Sequence, residues 1–235
     1  MSQATLRVLI VTAVAAERDA VTAALPGGHA PPPESGQAPG QAPMIETVAA
    51  GVGPAAAAAG TATALTVAAA AGEPFGLVIS AGIAGGFPPC GLGATVLATS
   101  IVAADLGAVT PTGFASVTEL GFGTVEHRPP DGLVKAAAEA TGAVTGPVLT
   151  VSTVTGTAER AGELAARHPG AVAEAMEGFG VAEAASAHGV PVLEIRTVSN
   201  PVGPRDRAAW RIPEALAALG GSCAALLPVL RAWRP

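Results

Sequence analysis

The stretch VPVLEIRTVSNPVG, Val190 to Gly203, opens as an apolar, β-branched run and stops at a polar pair, Ser199-Asn200, followed at once by Pro201. A continuous run of this kind reads as a buried strand, as in a parallel sheet covered on both faces. In open α/β sheets the chemistry gathers where such strands end. The residue at this tip is an asparagine, which neither gives nor takes a proton at neutral pH. Its presence there, in place of an acid, needs a reason.

Upstream, strand-like and helical stretches alternate. Leu6–Thr12 reads as a strand and is followed by a helix over Glu17–Leu25. PGGHAPPPESGQAPGQAP, Pro26–Pro43, reads as a surface loop. Met44–Ala50 is a strand that runs through GVGP into an Ala-rich helix, Pro54–Ala71, with Pro at the first helical turn. Leu77–Ser80 reads as a short buried strand, and Ala94–Val102, Val148–Ser152 and Ala171–Met176 as others. Helices are expected over residues 131–141, 158–167, Gly178–His188 and Pro213–Leu230, the last kinked or ended by Pro228. This alternation predicts one three-layer α/β/α domain over residues 1–235 with a central mixed sheet. The strand ends then collect Ala13–Glu17, Gly51–Gly53, Gly82–Gly86, Ser152–Thr155, Met176–Glu177 and Ser199–Asn200.

Composition excludes several classes. The 235 residues are 50% hydrophobic and 13% charged, with a formal net charge of −6. A nucleic-acid partner calls for a basic face and is not expected. The most membrane-like run, Ala49–Ala71, is mostly alanine, and no span is expected. The amino-terminal MSQATLRVLIVTA lacks a basic n-region and reads as a strand rather than a leader. The two cysteines, Cys90 and Cys223, fit no metal spacing, so a reduced, cytoplasmic, metal-free and cofactor-free protein is expected.

Three short stretches could carry chemistry. SAGIAGG, Ser80–Gly86, reads as a glycine-rich turn after a strand, where a ligand could approach backbone N–H groups. It is neither a Walker loop nor a GxGxxG followed by an acidic residue, and it could equally be a turn that only turns. In AEAMEGFG, Ala173–Gly180, Glu177 stands at a helix start, where a carboxylate is favoured; it is a site residue or a helix cap. Glu17, in TAVAAERDA, is a site residue or an exposed first-turn glutamate.

Taken in order, AVAAE, GVG, SAGIAGG, AMEG and EIRTVSN resemble the nucleoside phosphorylase superfamily over nearly the whole chain. They are most similar to its branch of purine nucleoside hydrolases, such as the methylthioadenosine/adenosylhomocysteine nucleosidases. The resemblance implies that Glu17 activates the attacking water, at a position where related phosphorylases carry an arginine for phosphate. It implies that Met176 packs under the ribose and that Glu177 accepts hydrogen bonds from ribose hydroxyls. Val52, Val154 and Trp210 are expected to line the pocket, with Ile83, Ala84, Gly85 and Ser199 completing the binding set. Ile83 stands where the branch often has a serine, which further weakens a phosphate site.

The resemblance also addresses the asparagine. Adenine-specific members have an aspartate at the position of Asn200. An amide presents a donor and an acceptor on one fork, which suits O6 and a protonated N7 of hypoxanthine or guanine. Members of the futalosine hydrolase family release hypoxanthine, and the chain resembles them. That implies cleavage of futalosine in menaquinone biosynthesis, with Arg205, Arg207 or Arg128 meeting the carboxyphenyl group beyond C5′. Alternatives are a methylthioadenosine nucleosidase, an inosine-type phosphorylase, a nucleoside-binding domain without catalysis, and an Asn200 that merely caps a turn before Pro201. A homo-oligomer is expected, with Phe114 or Phe122 of the apolar stretch Gly107–Gly123 covering a neighbour's site.

Overall fold

The computed structural model describes residues 5–25 and 42–234. Nearly all of the Pro/Gly-rich segment 26–43 lies outside them. The strands are β1 (Arg7–Thr12), β2 (Met44–Ala49), β3 (Leu77–Gly86), β4 (Thr95–Ala103), β5 (Gly107–Thr110), β6 (Gly113–Ser116), β7 (Glu126–His127), β8 (Val144–Thr150), β9 (Ala173–Ala175) and β10 (Val192–Pro201). The helices are α1 (Ala15–Ala24), α2 (Pro54–Ala70), α3 (Asp131–Thr141), α4 (Ala158–Arg167), α5 (Gly178–Ala187), α6 (Ile212–Ala225) and α7 (Leu227–Ala232).

The central sheet is mixed. β2, β1, β3 and β10 run parallel, β4 is antiparallel to β10, and β8 is parallel to β4. β3 is long enough to carry two neighbours on one edge. Its first half pairs with β1 and its last two residues pair with β9. Since β9 also pairs with β8, the strands β3, β10, β4, β8 and β9 close into a circuit at one end. Among the described residues the sheet therefore has β2 at one edge and closes on itself at the other side. Strand twist makes such curling natural in a large sheet.

Two apolar cores cover the sheet faces. Leu9, Val78, Val96 and Val198 pack with residues of α2 and α5. Val8, Ile79, Leu97 and Ile195 pack with residues of α1, α3, α6 and α7. Alternate residues of one strand thus serve opposite layers, as the two-residue side-chain period requires. Strand β10 is buried on both faces over Val192–Ser199, its apolar residues serving the two cores and its charged pair Glu194 and Arg196 buried with them.

The elements follow the sequence expectations with two additions, one strand (β8) that starts at Val144 rather than the expected Val148, and one correction. The hairpin β5–β6 and the short β7 were not foreseen; their four- and two-residue strands are too short for a periodic signal. The correction concerns SAGIAGG. It is not a turn: the strand continues from Leu77 through Gly86, and none of its glycines has a positive φ. Its glycines make room instead. A Cβ on Gly82 would stand 2.5 Å from Arg196 Nη1 and 2.7 Å from Glu17 Oε1.

Pro228 behaves as expected, since α6 ends at Ala225 and α7 starts with the proline in its first turn. The combined segment Ile212–Ala232 is long and apolar enough by composition to cross a membrane, unlike the shorter Ala-rich helix singled out from sequence. Its residues Leu219, Cys223, Leu226 and Leu230 are buried in the core on the α1 side.

Candidate active site

A cavity of about 250 Å³ opens at the carboxyl ends of β1, β3 and β10, beside β9. Every residue expected at the site lines it: Glu17, Val52, Ile83, Ala84, Gly85, Val154, Met176, Glu177, Ser199, Asn200 and Trp210. Three more residues line it: Arg205, one of the three arginines considered for the substrate carboxylate, Thr155, which had been named only as standing at a strand end, and Glu174, which had no place in the expected set.

Glu17 is buried, not an exposed first-turn glutamate. Its Oε2 accepts from the Ala13 N–H at 3.0 Å and the Val14 N–H at 3.3 Å. Its Oε1 accepts from the Ile83 N–H at 2.9 Å. Backbone donors from two strand ends therefore fix this carboxylate in one place. Only a small residue at position 82 permits the approach.

Glu177 stands at the start of α5, but its side chain does not cap that helix. One oxygen accepts from the Gly53 N–H at 3.2 Å, and the other accepts from Arg196 Nη1 at 3.3 Å. Gly53 reaches it with φ +91, a backbone conformation that L side chains rarely adopt.

Arg196 is the hub beneath these acids, and no role for it was foreseen. It is 1% exposed. Nε donates to Glu194 Oε1 at 2.9 Å and Nη2 donates to Ser80 Oγ at 3.0 Å. Burial works against its charge, but the carboxylates of Glu194, Glu177 and Glu17 outweigh burial and hold the guanidinium above its ordinary pKa. Glu194 is fully buried, and desolvation pushes its carboxyl up while Arg196 pulls it back. Its Oε2 has no hydrogen-bond partner among the described residues. The sequence did carry a signal. Glu194 and Arg196 are two residues apart in an otherwise apolar strand, so they share a buried face and must pair.

At the other end of the cavity the register of β10 against β3 shifts between Val198 and Asn200. An irregularity of this kind re-aims a side chain. It brings Asn200 opposite Gly85, where a Cβ would stand 2.9 Å from Val202 Cγ2 and 3.4 Å from Asn200 Nδ2. Ser199 Oγ donates to Asn200 Oδ1 at 2.8 Å, and Asn200 Nδ2 donates to the Pro201 carbonyl at 3.0 Å. The amide is thereby oriented, and it keeps one N–H and one oxygen lone pair for a ligand.

Glu174 and Thr155 form a second polar pair on this side. The Thr155 N–H donates to Glu174 Oε1 at 2.8 Å and the Thr155 hydroxyl donates to Oε2 at 2.5 Å. Burial pushes the Glu174 carboxyl up, and the two Thr155 hydrogen bonds partly reverse that.

Of the three arginines considered for a substrate carboxylate, Arg205 alone lines the cavity, with its guanidinium over the Trp210 ring at 5.3 Å. Arg207 also lies over Trp210, at 5.8 Å, but does not line the cavity. Arg128 is exposed and paired with Glu126 in a different depression. Phe114 and Phe122 do not line the cavity of their own chain. Phe122 and Val109 are largely exposed, while Phe114 stacks beneath Arg167 at 4.3 Å.

Residues 34–228 match the phosphorylase superfamily. Over 98% of its length the chain is 62% identical to a futalosine hydrolase of Streptomyces coelicolor, covering 99% of that protein. The chain belongs to the futalosine hydrolase family, within the phosphorylase superfamily. A second family member, the futalosine hydrolase of Acidothermus cellulolyticus, is 46% identical over 93% of this chain and 89% of its own. The fold of this futalosine hydrolase family member is shared with a methylthioadenosine/adenosylhomocysteine nucleosidase from S. pneumoniae in complex with a transition-state inhibitor. The TM-score is 0.77 at 19% identity, over 96% of this chain and all of the other.

Proposed function

We propose that this protein hydrolyses the N-glycosidic bond of futalosine, releasing hypoxanthine and leaving dehypoxanthine futalosine. The observation that carries this reading is the 62% identity, end to end, with a futalosine hydrolase. The oriented amide of Asn200 supports it from the site. Its free N–H matches O6 of a 6-oxopurine, and its free lone pair matches N7–H.

In this reaction the bond to N9 lengthens as the sugar gains positive charge and the purine negative charge. Glu177, fixed by the Gly53 N–H and Arg196, accepts from the ribose hydroxyls and stabilises the sugar cation. Met176 packs under the ribose, beside Val52. Val154 borders the base, and Ile83, Ala84 and Gly85 of β3 form the floor, with Ser199 orienting Asn200. Glu17 takes a proton from the water that attacks C1′, acting as general base. Asn200 holds the leaving base at O6 and N7 but supplies no proton, so the N7 proton comes from solvent. Arg205, stacked on Trp210 at the rim, meets the carboxylate beyond C5′.

A phosphate co-substrate is disfavoured. Glu17 and Glu177 are both carboxylates in one small cavity, and a phosphate dianion would be repelled by them. The reading assigns the protein to menaquinone biosynthesis in the cytoplasm, working as a homo-oligomer without cofactor or metal. Purified protein incubated without phosphate with futalosine, inosine and methylthioadenosine tests it, with base release followed by chromatography. Hypoxanthine from futalosine is the expected product. Adenine from methylthioadenosine in its place overturns the reading.

A further inference from the structure

Glu194 is fully buried and does not line the cavity, and the reaction above gives it no task. Its Oε1 accepts from Arg196 Nε at 2.9 Å, while its Oε2 has no hydrogen-bond partner among the described residues. A buried carboxylate with an unpartnered oxygen is costly, and an apolar residue would be easier to accommodate in such a strand. The fold nevertheless makes room for it. A Cβ on Gly178, the first residue of α5, would collide with both Glu194 oxygens. That glycine directly follows Glu177, so the buried acid packs against the helix start beside the acid of the cavity.

Four charged groups meet here. Glu17 and Glu177 line the cavity; Arg196 and Glu194 do not. Arg196 Nη1 donates to Glu177 at 3.3 Å, and both that nitrogen and Glu17 Oε1 crowd the place where a Gly82 Cβ would stand. Glu194 is two residues before Arg196 on β10, roughly 7 Å further from the strand end at which the cavity opens. Burial works against the Arg196 charge, and of the carboxylates that outweigh it Glu194 acts most strongly, ahead of Glu177 and Glu17.

A guanidinium this close to two cavity carboxylates holds them in place but also cancels part of their field. That field is what the reaction uses, because the sugar gains positive charge as its bond to N9 lengthens. We propose that Glu194 is the counter-ion that neutralises Arg196, so that Glu177 and Glu17 keep their negative field at the ribose cation. With Glu194 present, three carboxylates surround one guanidinium. Without it only the two cavity acids remain, and the guanidinium offsets one of their charges. Both Glu194 and Arg196 are shielded from water, so their charges are screened little. Glu194 touches no substrate atom; it is a positioning residue that acts through Arg196. The inference rests on the proposed reaction and concerns stabilisation of its sugar cation, not the reading of the base.

The test uses a matched pair of 9-deazahypoxanthine C-nucleosides, which cannot be hydrolysed. One has an ordinary ribose ring; the other has a pyrrolidine ring that is a cation at neutral pH. Their dissociation constants are measured by calorimetry on the full chain, for wild type, Glu194→Gln and Glu194→Asp. Glutamine keeps the acceptor for Arg196 Nε, and its NH2 takes the place of an oxygen without a partner, so the variant folds. Wild type is expected to bind the cation about 100-fold or more tightly than the neutral nucleoside. Glu194→Gln should cut that ratio about 10-fold, the effect of one charge removed at such a distance. Glu194→Asp keeps the charge and should keep most of the ratio. Turnover of futalosine by Glu194→Gln should fall by a similar factor with KM little changed. A merely structural Glu194 would weaken both nucleosides alike. An unchanged ratio in Glu194→Gln, an equal fall in both variants, or a wild type without preference for the cation overturns the proposal. Failure of the futalosine reading registers separately, as absent hydrolysis of futalosine, because the ratio is taken within one base.

Discussion

Arg196 Nη1 lies 3.3 Å from Glu177 Oε2, and the arginine that makes this contact is itself almost wholly buried. The pair joins the body of the sheet to the cavity. Glu177, the acid that the proposed reaction assigns to the ribose hydroxyls, is held by a guanidinium whose other nitrogens are fixed to Glu194 and Ser80.

Arg196→Met should therefore damage both stability and chemistry. Removing one partner of a buried ion pair leaves uncompensated charge and typically costs about 3–5 kcal/mol. Here Glu194 and Glu177 are both left behind. Urea unfolding should show that loss. Any folded fraction should have a raised KM, because Glu177 is no longer aimed. Arg196→Lys keeps the charge but cannot make three divergent hydrogen bonds, and it should fall between the two. A methionine variant as stable as wild type would remove Arg196 from its place as hub.

Glu17→Gln fills the same volume and its amide oxygen can accept from Ala13 and Val14, but its NH2 then faces the Ile83 N–H, so the variant should fold with a stability loss of about 1–3 kcal/mol. Turnover of futalosine should drop by about 10²-fold or more, the loss expected for a missing general base. KM should change little, since the assigned role is in the attack on C1′ and not in binding. Steady-state kinetics with thermal unfolding as control checks both parts. Unchanged turnover would transfer the base to another group.

Asn200→Asp should shift the base preference. An aspartate presents two acceptors, or one donor and one acceptor when protonated, in place of a fixed amide fork. O6 of hypoxanthine then faces an acceptor with no hydrogen between them. The variant should lose about 10-fold or more on futalosine, and its ratio of adenine release from methylthioadenosine to hypoxanthine release from futalosine should rise. Competition between the two nucleosides, read by chromatography of the released bases, measures that ratio directly. A variant with wild-type preference would leave Asn200 as a turn residue bonded to the Pro201 carbonyl.

The alternation of strands and helices was legible because β1, β2, β3, β4 and β10 are long, apolar and bounded by clear breakers. The cavity was legible in two steps: strand ends collected most of its residues, and the resemblance to the nucleoside phosphorylase superfamily gave them roles and added Trp210. Two parts were not legible. The closure of β3, β10, β4, β8 and β9 depends on a two-residue contact between β3 and β9, which leaves no periodic trace. The other is the glycine-rich SAGIAGG, where lack of side chains signals a turn and close approach alike. In the folded protein Gly82 accommodates Arg196 and Glu17. Glu174 was hidden by the same three-residue strand, since AEAMEG does not reveal that both of its glutamates line the cavity.

His168 at the end of α4 should make the protein acid-sensitive. It is half-buried, and burial and then the charges of Arg167 and Arg160 hold its pKa below the usual 6.5, against a weaker opposing pull from Glu126. Its Nε2 is buried without a hydrogen-bond partner among the described residues. A histidine with a depressed folded pKa is neutral in both states above its unfolded value, so it makes no difference to stability there. As pH falls below that value the unfolded chain takes up a proton that the folded chain refuses, and stability declines until the folded pKa is passed. Glu174 and Glu194 run the other way: their raised folded values remove stability as pH rises from the ordinary glutamate range. The comparison must therefore be made within a pair. Urea unfolding of wild type and His168→Gln, in steps downward from about pH 7.5, should show a steeper loss for wild type just below pH 6.5 and a shallower one for the variant. Parallel curves would mean that His168 meets a proton in the folded protein as readily as in the unfolded chain.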